Sequence, residues 1–168
     1  MRYDRFIVVS AFLLGLGLYP DGVKAQGLPT EKVLPLSLAT EAAEAALAAC
    51  EKQGYHVSVA VVDRGGLVRT LIRGDGAGPH TLDSSSRKAY TAASLGRPTG
   101  ELVKAVSGNP ANEGLRNMNE KILILAGGLP LKTGEEVIGG IGVGGAPGGE
   151  KDETCALAGL DKVKDRLK

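Results

Sequence analysis

"GGIGVGGAPGGEKDE", residues 139 to 153, decides how the C-terminal part of this chain folds. Apolar residues alternate with glycine up to Gly145, a glycine- and proline-rich loop follows, and Glu150, Asp152 and Glu153 open a helix. The order is strand, loop, helix. Gly140, Gly142 and Gly145 satisfy the spacing G-x-G-x-x-G of a dinucleotide-binding turn. That fingerprint requires a further strand after the helix, with an acid about 20 residues on to hold the ribose. No such strand follows here, and the pattern starts inside the strand rather than after it. The glycines are therefore expected to let the strand lie against a close neighbour, or against a flat ligand, before the chain turns.

Downstream, "EKDETCALAGLDKVKDRLK" is an amphipathic helix with acids first and lysines last, which suits the helix dipole. Upstream, "KILILAGGLPLK" predicts two short strands about Gly127-Gly128, and "EVIGGIGVGG" is the strand after them. In the N-terminal half, "SLATEAAEAALAACEKQG" predicts a helix with Ser37 as N-cap and Gly54 as its stop. Leu38, Ala42, Ala45 and Ala49 would form its inner face. "VSVAVVD" and "LVRTLIR" make a hairpin about Arg64-Gly65-Gly66. A loop over residues 74–83 leads into a helix with Asp83 as N-cap, and a shorter helix runs from about Glu101 to Val106. Residues 108–119 are polar and expected to be irregular or a single helical turn. This order predicts an α+β fold, a single-domain sandwich with a mostly antiparallel five-stranded sheet flanked by helices.

Arg2 and Arg5 precede an apolar run from Phe6 to Leu18, then Pro20 and the small-residue pattern Val23-Lys24-Ala25. That is the layout of a secretory signal peptide over residues 1–25, cleaved after Ala25. The run falls short of the roughly 20 apolar residues that span a bilayer, so no stable membrane anchor is expected after cleavage. Residues 26–36 then form a lead, and 37–168 the domain. The whole chain has a formal charge of +1, and the leader carries that excess. A neutral domain, in a chain with 4% aromatic residues and no tryptophan, lacks the basic surface and stacking platforms that nucleic acid requires. The expected location is the periplasm or the exterior, where disulfides persist. Cys50 and Cys155 lie in the first and last helices. They are either bonded to each other or small buried apolar side chains.

The string "VSVAVVDRGGLVRTLIRGDGAGPHTLDSSSRKAYTAASLGRPT", with "IGGIGVGGAPGGEKDETCALAGL" near the end, resembles the GlcG/HbpS-like family of haem-binding or haem-degrading domains. The likeness runs from about Ser37 to Leu167. It is carried by the VVD-x-G-G hairpin, the D-G-A loop, the K-A-Y-T-A helix and the glycine-rich ending. It implies an antiparallel sheet flanked by helices, a homo-oligomer (a dimer or a larger ring), haem as cofactor, and a role in haem handling, haem degradation or redox and iron sensing.

The chain has two histidines, His56 and His80. His80 closes the loop "GDGAGPH" just before a helix, where its imidazole could face a pocket and ligate haem iron. His56, before a strand, reads as an exposed edge residue. No CxxCH occurs, so covalent haem attachment is excluded. Arg73 and Lys88 could meet a carboxylate or propionate, and Tyr90 could pack on a ring. Asp75 lies in the same loop, while Gly142 and Gly144 would form the pocket's flat wall. Glu150 and Glu153, as E-x-x-E, are secondary iron candidates. No hydrolytic or phosphoryl-transfer motif is present, and no catalytic residue is assigned. The alternative function is an accessory protein or enzyme that takes a small organic acid, using Arg73, Lys88 and the loop amides, with His80 as acid or base.

Overall fold

Alternation of β-branched residues makes the central strand. In the computed structural model, which describes residues 27–168, β1 (Ser58–Asp63) carries Val59 and Val61 on one face and Ala60 and Val62 on the other, all buried. The segment 1–25, expected to be a signal peptide, lies outside the described residues. Gly27–Thr30 carry neither helix nor strand, and Glu31–Lys168 forms one compact unit.

The chain runs α1 (Leu36–Glu51), β1, β2 (Val68–Arg73), α2 (His80–Leu95), α3 (Thr99–Ser107), a 3-10 segment (Pro110–Asn117), β3 (Gly128–Thr133), β4 (Glu136–Gly144) and α4 (Gly149–Val163). A last 3-10 turn covers Lys164–Arg166. The strands form one antiparallel sheet in the order β2-β1-β4-β3. The fold is thus α+β and single-domain, but the sheet has four strands rather than five.

The missing strand is the segment before Gly127. Its alternation is real: Ile122 and Ile124 are buried. They pack on Leu102 and Val106 of α3, however, and not on the sheet. Side chains of α2 meet two backbone groups of this segment. Leu123 N–H donates to Thr91 Oγ1 at 2.8 Å, and Arg87 Nη2 donates to the Ile122 carbonyl at 2.8 Å. With these two groups paired in that way, neither needs a strand neighbour.

The sheet divides the interior in two. On one face, α1 and α4 pack over Val57, Val59, Val61, Ile141 and Val143. On the other, α2 crosses Ala60, Val62 and the glycine positions of β4. The glycines allow a very close approach: a Cβ on Gly142 would stand 2.2 Å from the Ser85 carbonyl oxygen, and one on Gly140 2.3 Å from that of Ala89. Across the sheet, α4 meets α1 at Gly159, where a Cβ would lie 2.5 Å from the Ala42 carbonyl oxygen. A disulfide joins Cys50 to Cys155 there, with Cα atoms 5.5 Å apart.

Two local expectations shift. The buried face of α1 is Ala39, Ala42, Ala43, Ala46 and Cys50, because the helix must meet α4 as well as the sheet. The helices also start earlier than their polar caps suggest. Pro35 and Pro79 occupy the N-cap positions, and Asp83 sits inside the first turn, 3.6 Å from Arg87.

Candidate functional site

The hairpin β1–β2 returns to the start of β1 at Arg73, and the loop 74–80 must cross from there to α2. Hydrogen bonds tie it at both ends. Gly74 N–H donates to the Val57 carbonyl at 2.9 Å and Ala77 N–H to that of Gly74 at 3.1 Å. The Arg73 guanidinium folds back onto the Ala77 carbonyl, with Nε at 2.8 Å and Nη2 also donating. At the far end Thr81 Oγ1 donates to the Gly78 carbonyl at 2.6 Å and shares a buried bond of 2.7 Å with Ser58 Oγ. A loop held this way presents its side chains in a fixed arrangement.

Both histidines lie against this loop, and both are exposed. His80 is the first residue of α2. A Cβ on Gly78 would stand 2.7 Å from its Cε1, so the glycine is what lets the imidazole lie over the backbone. His56 Nδ1 lies 2.7 Å from the Asp75 carbonyl oxygen. A ring that donates from Nδ1 to a carbonyl keeps the lone pair of Nε2 for a metal, the arrangement common among imidazole ligands. Sequence reasoning placed His56 on a strand edge and left it out of the site. Its partner is 19 positions away, a closure that only the hairpin brings about.

Of the predicted site residues, His80, Arg73 and Asp75 therefore meet at one loop, with Asp75 contributing its carbonyl to the His56 contact. The others lie elsewhere. Gly142 and Gly144 are buried beneath α2, facing Ser85, Ala89 and Ser84. They form the seat of a helix and not the wall of an open pocket. Tyr90 covers Gly66 at the other end of the hairpin, with Lys121 Nζ 5.4 Å from its ring centre.

Lys88 is 1% exposed. Its Nζ donates to Asp152 Oδ2 at 2.7 Å and to the Val143 carbonyl at 2.9 Å. Asp152, at 3% exposure, accepts from Ala146 N–H at 2.9 Å through its other oxygen. Burial pushes the Asp152 carboxyl above its ordinary value, and the Lys88 ammonium and nearby amides pull it part of the way back. This pair ties α2 to the start of α4 and the end of β4, and solvent does not reach it. Its signal was present in the spacing: Asp152 falls on the same helical face as Cys155, Ala156, Gly159 and Val163.

Glu153 is committed as well. Its Oε2 accepts from Gly100 N–H at 3.0 Å and Gly127 N–H at 3.3 Å. Glu150 is exposed. Both border a cavity of about 450 Å³ between α3 and α4.

A family model described as "Haem degrading protein HbpS-like" matches residues 34–161. The structure is similar to that of a double mutant of HbpS from Streptomyces reticuli, with 47% identity, 83% of this chain and 94% of that chain covered, and a TM-score of 0.75. It is also similar to a solved PduOC:heme complex, at 25% identity and a TM-score of 0.71, covering 78% of this chain and 95% of that one. An uncharacterised 15.0 kDa protein of Citrobacter freundii, from the dhaT-dhaS intergenic region, is 35% identical over 139 residues, which is 82% of this chain and 95% of the relative. The chain belongs to the HbpS-like family.

Proposed function

We propose that this member of the HbpS-like family binds haem outside the cytoplasm, on the 74–80 loop, with His80 as iron ligand. Membership of a family described as haem degrading, and likeness to a fold solved in complex with heme, support the ligand. The observation that carries the location is the pair of exposed imidazoles, His80 at the end of one short, tied loop and His56 bonded to its Asp75 carbonyl. The donor chemistry fits the group. Imidazole nitrogen is a usual haem ligand, and His56, donating from Nδ1 to the Asp75 carbonyl, would leave its Nε2 available. Haem would supply the iron and its redox chemistry. The chain's own residues would ligate, orient and tune it. Arg73 uses two of its guanidinium nitrogens on the Ala77 carbonyl and retains further N–H donors for a propionate. Lys88 takes no part, since its ammonium is enclosed.

Titration of the protein with hemin, followed by absorbance, tests the reading. A saturable Soret shift is expected, altered in His80→Ala. A shift unchanged in both His80→Ala and His56→Ala would remove the loop as the site, and no saturable shift would remove haem.

Export belongs to the same proposal. The leader pattern of residues 1–25 and the Cys50–Cys155 bond support it. Expression with the native N-terminus should give a processed protein starting at Gln26 by mass. An unprocessed product confined to the cytoplasm would overturn it.

A further inference from the structure

The cavity between α3 and α4 is distinct from the histidine loop. Its volume is about 450 Å³, within the range of small-molecule sites. Val103, Leu129 and Leu157 supply apolar wall, and Lys104, Glu150 and Glu153 supply charge. Glu101 also borders it but is engaged with Arg97, 3.3 Å away. Among the described residues, neither Glu150, Glu153 nor Lys104 is in an ion pair. The balance of unpaired charge at the cavity is therefore two carboxylates against one ammonium.

Glu153 is held in place. Two backbone amides fix its Oε2, and the carboxylate can come so near α3 only because residue 100 is glycine. A Cβ there would stand 2.6 Å from Oε2. The carboxylate is thereby fixed in position beside apolar wall. That disfavours a dianionic ligand such as haem, whose propionates would face these carboxylates. A metal ion is also disfavoured, because no group of three His, Cys, Asp or Glu side chains able to hold one occurs among the described residues. An organic cation fits both features: an apolar body meets the leucines and valine, and an ammonium meets the carboxylates.

We propose that this cavity binds a small amphiphilic amine, its apolar body against Val103, Leu129 and Leu157 and its protonated nitrogen at Glu150 and Glu153. The Lys104 ammonium, on the α3 side, would orient the ligand with its own charge toward α4.

The test uses 2-phenylethylamine as probe and 3-phenylpropionate as its counterpart of opposite charge, with binding read from methyl chemical shifts and calorimetry. The amine should bind saturably and shift the Val103, Leu129 and Leu157 methyls, and the acid should not. Glu150→Gln, an exposed change, should weaken the amine about three- to fivefold, the worth of a partly exposed ion pair. Leu157→Trp should fill the cavity and abolish binding while the circular dichroism stays that of the wild type. Were that variant to unfold, the methyl map of the wild type decides the matter. Absence of saturable binding, equal binding of the acid, or shifts confined to other methyls would overturn the proposal.

Discussion

Replacing Lys88 by methionine keeps most of the aliphatic stem and removes the charge. The structure makes this a severe change. The Asp152 carboxylate, 3% exposed, would be left with amide donors alone, and the Val143 carbonyl would lose its Nζ donor. Breaking one partner out of a buried pair costs about 3–5 kcal/mol, a large share of the 5–15 kcal/mol that holds a typical domain together. At about 3–4 °C per kcal/mol for a chain of this size, the melting temperature should fall by roughly 10–20 °C. Loss of an exposed pair such as Lys164–Asp161, 2.8 Å apart, should cost far less, because water screens both charges. The assay is urea and thermal unfolding at neutral pH with the disulfide intact, on Lys88→Met, Asp152→Leu and the double variant. The double variant should cost clearly less than the sum of the singles, because it leaves no buried charge behind. A Lys88→Met cost within about 1 kcal/mol of zero, or additive effects in the double variant, would refute the reasoning. The pH dependence follows from the raised Asp152 carboxyl. A carboxyl that holds its proton more tightly in the folded state contributes stability in full below its unfolded value of 3.8, and that contribution is lost as pH rises through the folded value. Wild type should therefore decline relative to the double variant over the range just above 3.8.

Three other outcomes are expected. The Cys50–Cys155 bond closes a sequence separation of 105, so the Cys50→Ala/Cys155→Ala variant should lose about 2–5 kcal/mol in denaturant unfolding; a loss below about 1 kcal/mol would show that the reduced chain is already constrained. Gly142→Ala forces a Cβ to 2.2 Å from the Ser85 carbonyl oxygen, so α2 must lift from the sheet at a cost of about 3 kcal/mol or more, read by thermal unfolding. Gly114→Ala, with nothing within 4 Å of the new atom, should change stability by less than about 0.5 kcal/mol, and similar effects at both positions would refute the close-packing account.

Much of this protein was legible before folding. The alternation at residues 57–73 and 136–144, the alanines of α1 and the acid-first C-terminal helix are local signals. Period and turn chemistry act within a few residues of each other, so they specified the α+β class, the hairpin and the first and last helices, α1 and α4. The family pattern was legible too, since its motifs are strings of adjacent residues. What the sequence left open concerns pairs far apart. Ile122 and Ile124 alternate like a strand, but they pack on α3, and Arg87 and Thr91 of α2 bond the Ile122 carbonyl and the Leu123 N–H between them. Asp152 falls on the buried face of α4, but its partner Lys88 is 64 positions away, and the close approach of α2 over Gly140 and Gly142 encloses both. His56 joins the His80 loop only because the β1–β2 hairpin closes. In each case the deciding partner lies many residues away, and burial with hydrogen-bond satisfaction, which local spacing does not encode, selected the outcome.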